Sequence, residues 1–350
     1  MIGEHLRLGF IPLIDCAPLA VADAFGLFRD EGLDVELARE ASWATVRDKV
    51  QTRLLDGAHM LGPIPLASSL GAGGERSALI APMALNQNGS AITVSHALAG
   101  QMRGLDLEAM SAQPRTALAL RRVIERRRDL GAPPLTFAVV FPFSLHVYVL
   151  RHWLAEAGVD PDRDIRLVIT PPPRMTAQLR SGEIDGFCVG APWNAVAEAD
   201  GSGEILVRTR ELWPGKPDKV LGVSPAFAER DPAALLALLR ALIRAAAWAD
   251  APANRPALAA LLARPEYVGQ PEAILARSLV ETPGTLVFRA GDANLPSLDH
   301  AAWFLTQMRR WGQIGPEVDI GQAAAAVYRP DLYRLADGEA GVPEGAAGPP

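Results

Sequence analysis

At 350 residues the chain is long enough for two or three folding units. With 49% hydrophobic and 21% charged residues it has the balance of a globular protein, which excludes a disordered or low-complexity chain. A net charge of -6 argues against a nucleic-acid-binding body, and only two distant cysteines, Cys16 and Cys188, exclude a disulfide scaffold and a cysteine metal site.

A strand is expected at once, over Leu6–Ile11, with no basic segment and apolar core ahead of it. A cytoplasmic location is therefore the expectation, and no apolar run reads as a membrane span. Pro12 and Asp15 lead into an apolar helix, Ala17–Phe28, followed by a strand, Leu33–Leu37. The stretch Ala41–Pro65 comes next. Ser42 suits a helix N-cap ahead of Val46, Val50 and Leu54, and Asp56-Gly57 stops that helix. Ala58–Leu61 reads as a buried strand ending in the turn Gly62–Pro65. Trp43 sits at the helix start, where unpaired backbone N–H groups suit a small anion. Alone this says little: most capped helices bind nothing, and a single tryptophan is more often core.

Strands over Ala78–Leu85 and Ala91–Ser95 flank the turn Asn86–Gly89. Alternating strands and helices of this length predict an α/β fold with mostly parallel pairing. A helix over Thr116–Leu130 carries Arg121, Arg122, Arg126, Arg127 and Arg128. In an acidic chain this fits a solvated face better than an RNA-binding patch. Strands are expected over Leu135–Val140, Ile165–Ile169 and Gly186–Val189, and a short one over Leu221–Val223. Helices follow, the longest running from Asp231-Pro232 to Asp250, and residues 336–350 read as a disordered tail.

Read together, SWATVRD, DGAHMLGPIP, LNQNGSAITVS, FPFSLH, WLAEAGVDP, PPPRM, GEIDGFCVGAPW and PDKVLGVS occur in that order. The series resembles the nitrate- and bicarbonate-binding proteins of ABC transporters (the NrtA/CmpA-like family) and their cytoplasmic relatives, the NasS-type nitrate/nitrite sensors. The resemblance covers roughly residues 5 to 335. It implies an α/β, two-lobe periplasmic-binding-protein-like fold of type II, with ligand in the interlobe cleft. Lobe one would be residues 1–95 plus 221–335 and lobe two 96–220, with crossings near Thr93–His96 and Leu221–Ser224.

The resemblance also implies a site. Trp43 matches a family tryptophan at the anion site of the first lobe. Ala44 and Thr45 match helix-start positions whose N–H groups would face the ligand. His146 matches a family histidine at a helix start, Pro172 a pocket-lining proline, and Lys219 a lysine that pairs with bound anion. Ser90 stands where many transporters have glutamine, and FPFSLH replaces a glycine-containing FPGGTH. Chemically, Lys219 supplies a point charge while Trp43, Ser90, His146 and helix-start amides supply hydrogen bonds. Taken singly, Lys219 reads as an exposed loop lysine, His146 as a structural histidine and Ser90 as a turn residue. Donors outnumber acceptors, which suits nitrate or nitrite. A bicarbonate receptor would want acidic partners, and no carboxylate cluster stands at the matching positions.

The expected function is a cytoplasmic nitrate/nitrite sensor, with no cofactor, metal or enzymatic activity. Its partner would be an RNA-binding antiterminator of the NasT type, with no direct contact to nucleic acid or membrane. The alternative is the substrate-binding receptor of an ABC importer for nitrate, bicarbonate or another small anion. The thiamine-pyrimidine synthases share the fold but need a cysteine-rich motif, and here only Cys188 stands in FCVG.

Overall fold

The computed structural model describes residues 5–282, 284 and 286–340. Its strands in chain order are β1 (His5–Phe10), β2 (Asp34–Arg39), β3 (Gly57–Leu61), β4 (Ile80–Asn88), β5 (Ser90–Ser95) and β6 (Leu135–Val139). They continue with β7 (Ile165–Ile169), β8 (Gly186–Gly190), β9 (Gly203–Arg208), β10 (Pro217–Val223) and β11 (Leu286–Val287). The chain divides into two units, one running up to Asn88 and resuming at Gly215, the other spanning Gly89–Pro214.

The first unit is built on a sheet of order β11-β4-β10-β3-β1-β2. β1 runs parallel to β2 and β3, as the opening βαβ pattern requires. β10 returns to this unit antiparallel to both β3 and β4, and all seven of its residues are buried, as expected of a central strand. Its register sets Lys219 opposite Leu61 and Leu221 opposite His59. With a side-chain period of two, Lys219 and His59 share one face of the sheet. On the β4 side the register shifts on both sides of Lys219, a bulge that lets consecutive side chains converge.

The Pro232–Asp250 helix is the one described helix long and apolar enough to cross a membrane, contrary to the sequence expectation that no run would qualify. Two-thirds of its apolar window is buried in the unit's own core. Its Arg240 binds Glu31 (2.7 Å) and Glu339 (2.8 Å), so this helix is a core element with a charged outer stripe.

The second unit is built on a sheet of order β7-β6-β8-β5-β9, with β6 parallel to β7 and β8, and β5 antiparallel to β8 and β9. Pairing is thus mixed in both sheets rather than mostly parallel. In each sheet the strand by which the chain enters or re-enters the unit, β5 or β10, runs antiparallel to both neighbours, and the edge strand β11 is also antiparallel to β4. Gly186 on β8 is dictated by crowding: a Cβ there would lie 2.6 Å from the Phe137 ring and 2.9 Å from the Thr93 carbonyl. The arginine-rich helix spans Leu118–Asp129. Arg121 pairs with Glu125 (2.7 Å), Arg122 with Asp106 (2.6 Å) and Arg128 with Asp164 (2.6 Å), so three of its five arginines are met by carboxylates.

These boundaries correct the sequence reading. β5 belongs to the second unit's sheet and β10 to the first, so residues 89–95 and 215–220 change sides. A strand joins the unit whose edge it hydrogen-bonds, and hydropathy carries no record of that choice. The Gly62–Pro65 turn is instead the start of a helix, Pro63–Leu70, with proline at its tolerated first position. Residues 336–339 complete the Pro330–Glu339 helix rather than opening a tail. The rest of the expected tail, 341–350, lies outside the described residues.

Candidate functional site

Four expected site residues lie in the first unit. The Trp43–Gln51 helix begins as the sequence predicts, with Ser42 extended at the cap and its Oγ accepting from the Thr45 N–H at 3.2 Å. That bond corrects one expectation. The Thr45 amide is consumed by the cap, and the first-turn amides of Trp43 and Ala44 are those without intrahelical partners. Trp43 is 1% exposed, and its indole N–H has no hydrogen-bond partner among the described residues. A buried donor left unpaired is costly, which makes this atom a candidate ligand contact.

Lys219 departs furthest from expectation. It is fully buried and belongs to the first unit. Its Nζ lies 2.7 Å from Asp15 Oδ2, 2.9 Å from Asp218 Oδ1 and 5.6 Å from the centre of the Trp43 ring. It is an ammonium ion already met by two carboxylates, not an unengaged point charge. Asp15 continues to His59: its Oδ1 is 2.8 Å from His59 Nε2. The Ile11 amide donates to His59 Nδ1 at 3.4 Å. The His59 ring lies 5.2 Å from that of Trp43.

Burial alone would raise the Asp15 pKa, but Lys219 and His59 outweigh it and hold the carboxyl at about 2. Burial opposes the Lys219 charge too, yet Asp15 and Asp218 raise its pKa above the ordinary lysine value. Sequence reasoning missed Asp15, His59 and Asp218. The one available signal was charged and imidazole side chains inside runs that otherwise read as buried, IDCAP, GAHML and PDKVLG. Two carboxylates, Asp15 and Asp218, flank Lys219 where the sequence reading named no acidic site residue. No group of His, Cys, Asp and Glu among the described residues has the geometry of a metal site.

The second unit carries the other three. Ser90 opens β5 and His146 is the second residue of the Leu145–Glu156 helix, capped by Ser144, whose Oγ accepts from the Val147 N–H at 3.2 Å. Ser90 Oγ and His146 Nε2 are 3.0 Å apart, both fully buried or nearly so. Two residues 56 positions apart are thus one hydrogen-bonded unit. Pro172 begins the Pro172–Ser181 helix and is buried. Trp43, Ala44, Thr45 and Lys219 thus gather in one unit, and Ser90 and His146 pair in the other.

Comparison with known proteins fixes the family. The NMT1-like family profile matches residues 3–263. The chain belongs to the NMT1-like family. Among curated relatives it is 36% identical to the nitrate import ATP-binding protein NrtC of Synechocystis sp., over 97% of this chain and 51% of that protein. The chain therefore spans about half the length of the first curated relatives it matches. It is 33% identical to the nitrate/nitrite binding protein NrtA of Synechococcus elongatus, covering 95% of this chain and 77% of that one. The crystal structure of the periplasmic nitrate-binding protein NrtA from Synechocystis superposes with a TM-score of 0.88 at 28% identity, covering 98% of this chain and 90% of that one. The NrtA-like chain accordingly has the two-lobe α/β periplasmic-binding-protein fold. Those two NrtA relatives are named as nitrate/nitrite- and nitrate-binding proteins.

Proposed function

We propose that the chain binds a small monovalent oxyanion, nitrate or nitrite, and acts as a sensor of it. The observation carrying the ligand reading is the buried, unpartnered Trp43 indole N–H beside the start of a capped helix. The similarity to NrtA, a nitrate/nitrite binding protein, supports it. The motif series resembles NasS-type sensors as well as transport receptors, and the sensor role proposed on that resemblance has a cytoplasmic location and an antiterminator of the NasT type as partner. Trp43 and Ala44 would donate to the anion, and Ser90, His146 and Pro172 are the further candidate contacts. Lys219 would act mainly by holding the Asp15–His59 cluster in place beside Trp43, contributing a remaining N–H. A four-atom ligand at roughly 1.5 kcal/mol per atom reaches a Kd on the order of tens of micromolar.

One observation favours a second ligand. Asp15 and Asp218 are acceptors, and hydrogencarbonate carries an O–H donor that nitrate lacks. Calorimetric titration with nitrate, nitrite, hydrogencarbonate and sulfate separates the readings. Nitrate or nitrite binding in the micromolar range supports the first, and hydrogencarbonate alone supports the second. The import role has its own support, since NrtC, which matches this chain over half its length, is named a nitrate import protein. A complex with a co-expressed antiterminator that separates on adding nitrate favours the sensor. Its absence favours the receptor.

A further inference from the structure

The second unit holds a cavity that neither the anion reading nor the family comparison uses. It has a volume of about 240 Å³ and lies where the Leu118–Asp129 helix ends, beside the start of β6 and the turn before β7. Arg127, Arg128 and Arg163 line it, together with one carboxylate, Asp164. Its remaining walls are apolar, with Ile124, Pro134 and Leu135 among them.

The arginines are not equivalent. Arg127 is fixed by two bonds to the Pro133 carbonyl, from Nε at 3.2 Å and Nη2 at 2.8 Å. Arg128 donates through Nη2 to Asp164 at 2.6 Å. The Arg163 side chain has no hydrogen bond or ion pair among the described residues. Each guanidinium carries five N–H donors, so most of the donors here have no protein acceptor. Three cations against one carboxylate leave two positive charges facing a single concavity. Part of that charge suits the helix C-terminus. Arg163 lies on a different element and is not accounted for in this way.

We propose that this cavity binds a small dicarboxylate. Two net positive charges match a dianion, and guanidinium forks match carboxylates two bonds at a time. A compact phosphate would satisfy the charge but leave the apolar walls uncovered, whereas a short methylene chain between two carboxylates covers Ile124, Pro134 and Leu135. The volume admits on the order of ten non-hydrogen atoms, below the usual range of larger cofactor sites. Two guanidiniums already held by protein contacts reduce the ordering cost of binding.

The test is calorimetric titration of the full chain with glutarate, in parallel with inorganic phosphate and a capped glutamate-containing peptide, at low and at moderate salt. Glutarate should bind with a Kd of about 1 mM or tighter, weaken as salt rises, and lose at least about tenfold in affinity in Arg163→Glu, a charge-assisted contact being removed. Arg163 is exposed, so the variant should unfold at the wild-type midpoint. Glutarate binding unchanged in Arg163→Glu, or none at about 10 mM, overturns the proposal. Phosphate binding as tightly as glutarate, or the peptide binding where glutarate does not, overturns the dicarboxylate class. Nitrate binding is measured alongside, and its presence or absence bears on the proposed function without deciding this one.

Discussion

At the scale of single residues, the Asp15–Lys219 pair decides most. Removing one partner of a buried ion pair leaves an uncompensated charge. Lys219→Met should therefore destabilise the fold by about 3–5 kcal/mol in urea unfolding, and adding Asp15→Asn should recover part of it. A single-variant loss below about 1 kcal/mol would show the pair to be replaceable. Asp15 also sets an acid limit. Its folded pKa, about 2, lies below the unfolded value. Its contribution of about 2 kcal/mol is therefore present above pH ~4 and drains away as pH falls toward the folded pKa. The stability gap between wild type and Asp15→Asn should narrow between those two pH values, and a gap constant across them would refute the assignment. Trp43 is the cleaner probe of ligand, because its N–H makes no bond to lose among the described residues. Trp43→Phe should weaken nitrate binding by about 1 kcal/mol and remove much of the fluorescence response. A wild-type response would make Trp43 packing alone.

At the scale of elements, caps and close approaches carry the prediction. Ser42→Ala removes the acceptor of the Thr45 N–H and should cost about 1 kcal/mol in thermal unfolding. It should also weaken anion binding, since the same cap fixes the helix start that presents Trp43 and Ala44. Loss of stability with binding untouched would separate the cap from the site. In the other sheet, Gly186→Ala forces a methyl group against Phe137 and the Thr93 carbonyl. Backbone on one side leaves little room to yield, so a loss of about 1–3 kcal/mol is expected. Tolerance of alanine there would mean that β5 and β8 can part without cost.

At the scale of the whole molecule, a sensor must couple ligand to partner. Linkage makes that coupling reciprocal: an anion that weakens the partner tenfold is itself weakened tenfold by the partner. Nitrate affinity measured with and without a co-expressed antiterminator should differ by about 10- to 100-fold, or roughly 1.4–2.7 kcal/mol. Equal affinities in a stable complex would sink the regulatory reading and leave a binding protein that reports to something else.

Local chemistry was legible in the sequence. Ser42 as cap, Trp43 at a helix start, the βαβ opening and the family itself follow from residue types and their order, because caps, turns and hydrophobic periods act over a few residues. What only the tertiary structure decided is non-local. Which sheet receives β5 and β10 depends on hydrogen bonds to strands more than 100 residues away in the case of β10 and β3. The same pairing converts Lys219 from an expected anion contact into the centre of a buried cluster. Asp15, His59 and Asp218 are distant or unremarkable in sequence, and they meet because β1, β3 and β10 share one sheet. A buried charge needs a partner wherever the chain can supply one, and the sheet order selects that partner.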